Sequence, residues 1–443
     1  MTASLGEIAL LALLLVPAAG VVLLAAIARY RVAAPLNVVL CAATLVAAAL
    51  LYSNRPEPTL FLLVDDVNTV FLIVGALVGF TTSLFSAGYI AHEIQQRRLK
   101  RRDLRFYHAM YQLLMLAMNV ALVSNNIGLM WVAVEVATLT TVMMVGIYRT
   151  NAALEAAWKY FILGSVGIAL ALFGTILVYL AAQGHLGQGI SAMAWDLLAK
   201  GASELDPALL NLAFVFLLLG YGTKVGLAPV HAWLPDAHAE GPTPISAVLS
   251  GLLLNVALFA LLRFKLIVAG NPKVISPGPL MIALGLLSLV FAGFMIFRRR
   301  DIKRMFAYSS IEHMGIITLA FGLGGPLANF AGLLHMAMHS LTKSGIFFGV
   351  GYISQLEGTQ RVADIRGLTR SAPLLGWLLV AAVAAIAGMP PFGVFTAEFL
   401  LVTSTFARAP WLAILLVAGI LIAFSALMLR LQGLAFGETE KRH

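Results

Sequence analysis

The stretch "GYGTKVGLAPVHAWLPDAHAEGPTP", Gly220 to Pro244, sets one lysine, two histidines, an aspartate, a glutamate and four prolines inside a chain that is 61% hydrophobic and 11% charged. The glycine and proline of "KVGLAP" (224–229) cannot continue an unbroken helical hydrogen-bond ladder. In a membrane, irregular backbone survives only where protein buries it or where it lines a wet cavity. A break beside Lys224 therefore predicts a site where water reaches a titratable amine. A proline kink that only improves packing is the plainer alternative.

Working outward, the whole chain reads as membrane-embedded. Its mean hydropathy is +0.94 over 443 residues, and apolar segments of about 20 residues, enough to cross about 30 Å of hydrocarbon, follow one another with short gaps. Helices are expected at 4–28, 34–52, 67–90, 106–124, 127–147, 160–182, 208–233, 245–267, 279–297, 304–323, 327–353, 374–404 and 411–432, thirteen in all. The first run follows Glu7 without a basic leader or a small-residue cleavage site, which reads as a retained helix rather than a signal peptide. The single cysteine, Cys41, reads as a small buried residue. One thiol excludes iron–sulfur clusters and CxxC redox chemistry in this chain, since both need several.

The net charge of +9 does not point to nucleic acid, because its distribution follows the membrane. Alternating the connections puts 21 of the 29 Lys and Arg on one side, including "RRLKRRDLR" (97–105) and "RRRDIKR" (298–304), and 6 on the other, with Lys224 and Lys343 inside helices. The positive-inside rule then places the larger pool in the cytoplasm, the N-terminus outside and the C-terminal tail inside. "RRLKRRDLR" also suits an anionic-lipid or partner patch.

Ionisable groups at membrane depth cost several kcal/mol unless paired or hydrated, so each is a functional candidate. They are Glu135 in "MWVAVEVATL", Lys224, Glu312 and His313 in "SSIEHMG", His335, His339 and Lys343 in "HMAMHSLTK", and Glu398 in "FTAEFLL", with Asn255 the notable uncharged polar residue. Interhelical glue is the plainer role for any one of them. Their pattern argues otherwise. Glu135 and Lys224 lie on the fifth and seventh helices, Glu312 and Glu398 on the tenth and twelfth, at offsets of 177 and 174 residues. A near-constant offset across five helices suggests an internal duplication, and an odd number of crossings per repeat forces opposite orientations. The expected fold is an all-α polytopic protein with two inverted five-helix repeats, helices 4–8 and 9–13. Helix 7 is broken at "KVGLAP" and helix 12 at "GMPPFG" (388–393). The expected organisation is a three-helix segment and basic loop over 1–105, a first half-channel over 106–267 and a second over 268–443 with the tail.

His335, His339 and Lys343 recur at i, i+4 and i+8 and stack on one helical face as a ladder of protonatable groups. A metal or haem between the two histidines is disfavoured by the lysine one turn on and by the lack of an acidic or thiolate ligand beside them. His231 and His238 flank the cytoplasmic end of the broken seventh helix, where they suit proton relay or simple capping. The proton affinity of a buried lysine depends on where a carboxylate sits. Separating the Lys224–Glu135 pair from about 4 Å at an effective dielectric of 20 changes the energy by about 4 kcal/mol. Moving one charge through about 150 mV takes about 3.5 kcal/mol, so opening one ion pair is of the right size to move a proton uphill. The expected route loads Lys224 from the cytoplasm and discharges through His339, His335 and Lys343 toward Glu398 as the terminal acid.

With these residues in hand the sequence resembles a known family. "KVGLAPVHAWLPDAHAEGPTPISAVLSGLLLNVALFALLRF" (224–264), "RRDIKRMFAYSSIEHMGII" (299–317), "HMAMHSLTKSGIF" (335–347) and "GMPPFGVFTAEFLL" (388–401) look like motifs of the proton-conducting antiporter-like subunits. Respiratory complex I, Mrp-type antiporters and group 4 [NiFe]-hydrogenases share these subunits. The similarity runs from about residue 60 to 435, and within the group the chain most resembles hydrogenase-4 component F. The resemblance implies a lysine–glutamate pair at Lys224 and Glu135, a channel lysine at Lys343 or its histidine neighbours, and an exit carboxylate at Glu398. It implies no cofactor in this chain, with Fe–S and Ni–Fe centres in partner subunits. The implied partners are further antiporter-like and quinone- or anchor-type membrane subunits, a soluble redox arm with a NiFe-type large subunit and Fe–S proteins, and membrane lipid. A bacterial or archaeal cytoplasmic membrane is the implied location. Asn255 departs from the family's usual lysine or histidine on the eighth helix, which puts a simple relay between half-channels in doubt. The family core usually has fourteen helices, and the last is expected to be absent. A cation/proton antiporter, a non-pumping membrane anchor and a partner in inorganic-carbon uptake stay open as alternatives on the same fold.

Overall fold

The computed structural model describes residues 4–27 and 29–438, and for Arg101 and Arg102 the backbone alone. Lys441 and Arg442 of the cytoplasmic charge pool, and residue 28 of the first expected helix, lie outside the described residues. No strand forms among the described residues. The chain runs through α1 (Leu5–Ala26), α2 (Tyr30–Ser53), α3 (Asp66–Gln95), α4 (Arg101–Val123), α5 (Ile127–Val145) and α6 (Asn151–Leu186). There follow α7 (Trp195–Lys200), α8 (Pro207–Val225), α9 (Trp233–Glu240), α10 (Thr243–Val248), α11 (Leu254–Ala269) and α12 (Gly278–Arg298). The rest is α13 (Ile302–Leu323), α14 (Gly325–Glu357), α15 (Leu368–Ser371), α16 (Pro373–Ile386), α17 (Gly393–Arg408) and α18 (Pro410–Phe436).

The thirteen expected crossings are all present as helical segments. Among the described residues, ten spans are long and apolar enough to cross a membrane. The other three are α13, α14 and the pair α16–α17, the ones that carry Glu312, His313, the histidine ladder and Glu398. Polar residues dilute the first two, and a break shortens the third. Both expected breaks are real, but the first is longer than anticipated. The seventh helix stops at Val225 instead of running to 233, and helix resumes as the separate α9. Gly226 takes φ 81° there, a left-handed conformation that glycine adopts without cost. The second break spans 387–392, with Gly388 at φ 72°.

The chain divides into two compact units, Met1–Val225 with Leu252–Pro277, and Gly226–Gly251 with Gly278–His443. In the first unit, polar caps start the helices. Asp65 and Asn68 form a reciprocal capping box on α3, Asn126 accepts from two backbone amides of α5 at 3.0 Å, and Asp206 accepts from two of α8. Each satisfies donors that a helix start leaves orphaned. α6 and α8 pack backbone to backbone, so that a Cβ on Gly220 would lie 2.6 Å from the Gly167 carbonyl oxygen. Small residues let backbones meet in this way where lipid offers no hydrophobic drive between helices.

The second unit uses the same device. Gly285 of α12 and Gly315 of α13 face each other so closely that a Cβ on either would lie 2.6 Å from the other's carbonyl oxygen. Asp301 caps α13 by accepting from the Arg304 amide at 2.9 Å. Leu289, Ile316, Leu319, Ala331, Leu401 and Leu416 form a dry cluster from α12, α13, α14, α17 and α18, leaving the polar faces of α13 and α14 to the site.

Candidate functional site

In the first unit, α5 and α8 build the lysine site. Glu135 and Thr138 stand three residues apart, so they share one face of α5. Lys224, on the last turn of α8, places Nζ 3.6 Å from Glu135 Oε2 and donates at 2.8 Å to Thr138 Oγ1. Thr138 in turn donates to the Val134 carbonyl at 3.0 Å, so its oxygen is turned toward the amine as an acceptor. The lysine side chain is 1% exposed and that of Glu135 19%. Gly164 of α6 makes the room, since a Cβ there would lie 3.0 Å from Nζ. Beside the pair, Thr141 and Tyr160 share a hydrogen bond of 2.8 Å. The pair expected from sequence is therefore assembled. At an effective dielectric of 20 its attraction is about 4 kcal/mol, large enough that a small movement of Glu135 would change how the amine holds its proton. Asn255 is buried on α11 of the same unit, just after a π-helical turn at Leu249–Leu253.

In the second unit, α9, α13, α14 and α17 build a buried polar column. His335, His339 and Lys343 lie on successive turns of α14, each at most 1% exposed. His313 of α13 joins them, its Nδ1 2.9 Å from His335 Nε2 and its ring 5.4 Å from that of His339. Glu312 places Oε2 3.2 Å from His313 Nε2. Glu398, from α17, closes on the same point, with ligating atoms of His313, His335 and Glu398 all within 4.8 Å of one another. Gly388 at the helix break provides the seat, because any Cβ there would run into the Glu398 carboxylate. At the other end of the ladder, Lys343 Nζ donates to the Phe306 carbonyl at 2.8 Å and lies 5.4 Å from the centre of the Phe306 ring. His238 stacks flat on Phe347 at 4.8 Å and has Lys303 and Lys343 as charged neighbours.

This geometry corrects the expected order of groups. Glu398 sits at the His335 end of the ladder, eight residues and about 12 Å along α14 from Lys343. A path ending on Glu398 therefore meets Lys343 first, then His339, then His335 and His313. His231 is not part of the column. Its ring packs against Phe291 at 4.8 Å and Tyr308 at 6.0 Å. The matched offsets also need refinement. Gly226 and Gly388, which open the two breaks, are 162 residues apart, whereas Lys224 and Glu398 are 174 apart. Lys224 precedes its break and Glu398 follows its own, so the two occupy corresponding helices but opposite halves of them.

Two of the cations counted in the charge pools, Lys303 of "RRRDIKR" and Arg263 near the end of the expected helix 245–267, are buried inside the protein. Lys303, 1% exposed, donates to the carbonyls of Ala239 and Gly241 at 3.0 and 2.6 Å and so caps the end of α9. Arg263, 2% exposed, pairs with Asp65 at 2.6 Å beneath the Trp195 ring, 4.0 Å away. The signal for Lys303 was Asp301, an N-cap that places the lysine inside the first turn of a helix. Removing both from the charge pools changes 21 against 6 to 20 against 5, and the bias stands.

Residues 124–423 match the family described as "NADH:quinone oxidoreductase/Mrp antiporter, TM". The chain is 59% identical over 427 residues to the hydrogenase-4 component F homolog of Methylacidiphilum infernorum (isolate V4), an alignment covering 96% of this chain and 90% of that protein. Two solved structures share the fold. An archaeal membrane-bound sulfane sulfur reductase matches with a TM-score of 0.86 and 24% identity, over 98% of this chain and 90% of that one. The Mrp complex from Dietzia sp. DQ12-45-1b matches with a TM-score of 0.86 and 21% identity, over 99% of this chain and 81% of that one.

Proposed function

The chain belongs to the NADH:quinone oxidoreductase/Mrp antiporter transmembrane family, and from that premise we propose that its Lys224–Glu135 pair and histidine column carry protons. It is a multi-pass membrane protein, an antiporter-like subunit of the class found in complex I, Mrp and group 4 hydrogenase-type complexes. Such subunits work among other membrane subunits. In our reading, the redox centres reside in partners, a NiFe-type large subunit and Fe–S proteins among them, and this chain supplies the proton path.

The observation that carries the reading is the buried amine of Lys224, 3.6 Å from a carboxylate and held on a threonine hydroxyl. With Glu135 close, the ammonium is stabilised; with Glu135 withdrawn, about 4 kcal/mol of attraction is lost and the proton is released. That exceeds the roughly 3.5 kcal/mol needed to move a charge through about 150 mV. In the second unit, Lys343, His339, His335 and His313 would pass protons along α14 to Glu398, with Glu312 as the neighbouring carboxylate and His238 as a feeder. Asn255 would act through its amide rather than as a titrating member. The 20-to-5 bias of basic residues supports an outside N-terminus and a cytoplasmic C-terminus in a cytoplasmic membrane. The test is Lys224→Ala in the intact assembly reconstituted in vesicles. Protons moved per electron pair are expected to fall at least tenfold. Undiminished transport per turnover would remove the lysine from the mechanism, and Na⁺-dependent transport without a redox partner would instead favour cation/proton exchange.

A further inference from the structure

The sequence offered no acidic ligand beside the α14 histidines, and the fold delivers one from another helix. Glu398 arrives from α17 and His313 from α13, so three ligating side chains from three helices converge within 4.8 Å. We propose that His313, His335 and Glu398 form a binding site for a borderline divalent transition metal, Zn²⁺ in the first place.

Four observations fit that chemistry. The donor set, two imidazoles and a carboxylate, is one that Zn²⁺ takes with a fourth position left for water or a further ligand. His313 Nδ1 and His335 Nε2 lie 2.9 Å apart. Two nitrogens bound tetrahedrally at about 2.0–2.1 Å from one ion stand about 3.3 Å apart, so a shift of a few tenths of an ångström brings the two imidazoles to ligand spacing, and the Glu398 carboxylate, within 4.8 Å of them, closes in by up to about 1.5 Å to complete it. The other ring nitrogen of His313 stands 3.2 Å from Glu312 Oε2 without a hydrogen bond between them, so a turn of the ring on metal binding is what makes the carboxylate–histidine arrangement that orients a ligating imidazole and raises its basicity. Finally, the charges close: two neutral imidazoles with the carboxylates of Glu398 and Glu312 balance a dication that the buried site could not otherwise hold. His339 supplies a candidate fourth ligand, since neither of its ring nitrogens has a hydrogen-bond partner among the described residues and its ring lies 5.4 Å from that of His313.

Binding rests on this geometry alone. Its consequence, that an occupied site blocks the column, rests on the proton-carrying role proposed above. The experiment therefore has two readouts on the purified full-length chain and its parent complex. The first is metal binding, followed by Zn²⁺ titration, by the visible absorption of Co²⁺ as a substitute, and by X-ray absorption at the zinc edge. We expect one ion per chain with two imidazole nitrogens and a carboxylate oxygen in its shell. Affinity should fall at least 100-fold in His313→Ala, His335→Ala and Glu398→Gln, and 10- to 100-fold in Glu312→Gln through loss of the orienting carboxylate. His185→Ala, an exposed histidine outside the site, should keep it. Glutamine nearly matches glutamate in shape, so the two Glu→Gln variants keep the test meaningful if a histidine variant fails to fold. An all-oxygen zinc shell, or affinity unchanged in Glu398→Gln, would overturn the site. The second readout is proton transport against Zn²⁺, expected to fall over the same concentrations as binding. Saturated metal with untouched transport would leave the site standing and overturn the role of the column.

Discussion

The two polar centres solve the same problem, keeping titratable groups in a membrane protein's interior, by different means. In the first, the amine of Lys224 has a carboxylate at 3.6 Å and a hydroxyl at 2.8 Å. In the second, Lys343 has no carboxylate within ion-pair distance among the described residues and rests on a backbone carbonyl and an aromatic face. Its carboxylates, Glu312 and Glu398, are gathered around imidazoles instead. The same helical plan therefore carries an electrostatic switch in one half and a string of closely spaced proton donors and acceptors in the other. A salt pair is sensitive to small displacements because its energy scales with distance. Imidazoles on successive turns need no such movement, since each can give a proton at one nitrogen while taking one at the other. On the proton-carrying role proposed above, the difference would give energy coupling to the first centre and conduction to the second.

Glycine marks both centres, and exchanging it separates them. Gly388→Ala is expected to have the largest effect. It forces a side chain into a left-handed backbone, costing about 1–2 kcal/mol, and drives its Cβ into the Glu398 carboxylate. Transport should drop at least tenfold, with lowered thermal stability in detergent. Thr138→Val comes next. It keeps the shape but removes the hydroxyl that accepts the Lys224 hydrogen bond, and a hydrogen bond from a charged group is worth about 1.5–3 kcal/mol. Turnover-linked transport should fall roughly 3- to 10-fold while the Zn²⁺ affinity of the second centre is unchanged. Gly164→Ala should have the smallest effect, under about threefold, because the new Cβ meets the far end of a flexible lysine at 3.0 Å in an ordinary helical backbone. If Gly164→Ala proves as damaging as Gly388→Ala, the first centre is as rigid as the second and the contrast between switch and conductor fails.

Much of this was legible in the sequence for identifiable reasons. Charge is so rare at membrane depth that Glu135, Lys224, Glu312 and Glu398 stand out singly, and glycine with proline locates both breaks without an alignment. The i, i+4, i+8 ladder is a local property of one helix and needed no tertiary knowledge. What stayed hidden is tertiary. Spacing along α14 cannot say which end of the ladder Glu398 approaches, and for that reason the expected route sets Lys343 last where the packing sets it first. Near-equal sequence offsets place Lys224 and Glu398 on corresponding helices but do not tell that they occupy opposite sides of a break. Lys303 and Arg263 count among the topogenic charges in the sequence because only the packing of Ala239 and Gly241, or of Asp65 and Trp195, supplies the partners that bury them.

Whether Lys224 and Glu135 act as one unit is best measured by a double-mutant cycle on protons moved per electron pair, in vesicles holding the intact assembly. Lys224→Ala, Glu135→Gln and the double variant would be compared with the unaltered protein. Groups that work as a unit are non-additive, so removing the second costs little once the first is gone. The pair predicts that the double variant transports no less than the worse single one. Losses that multiply, each substitution adding its full effect to the other, would contradict it.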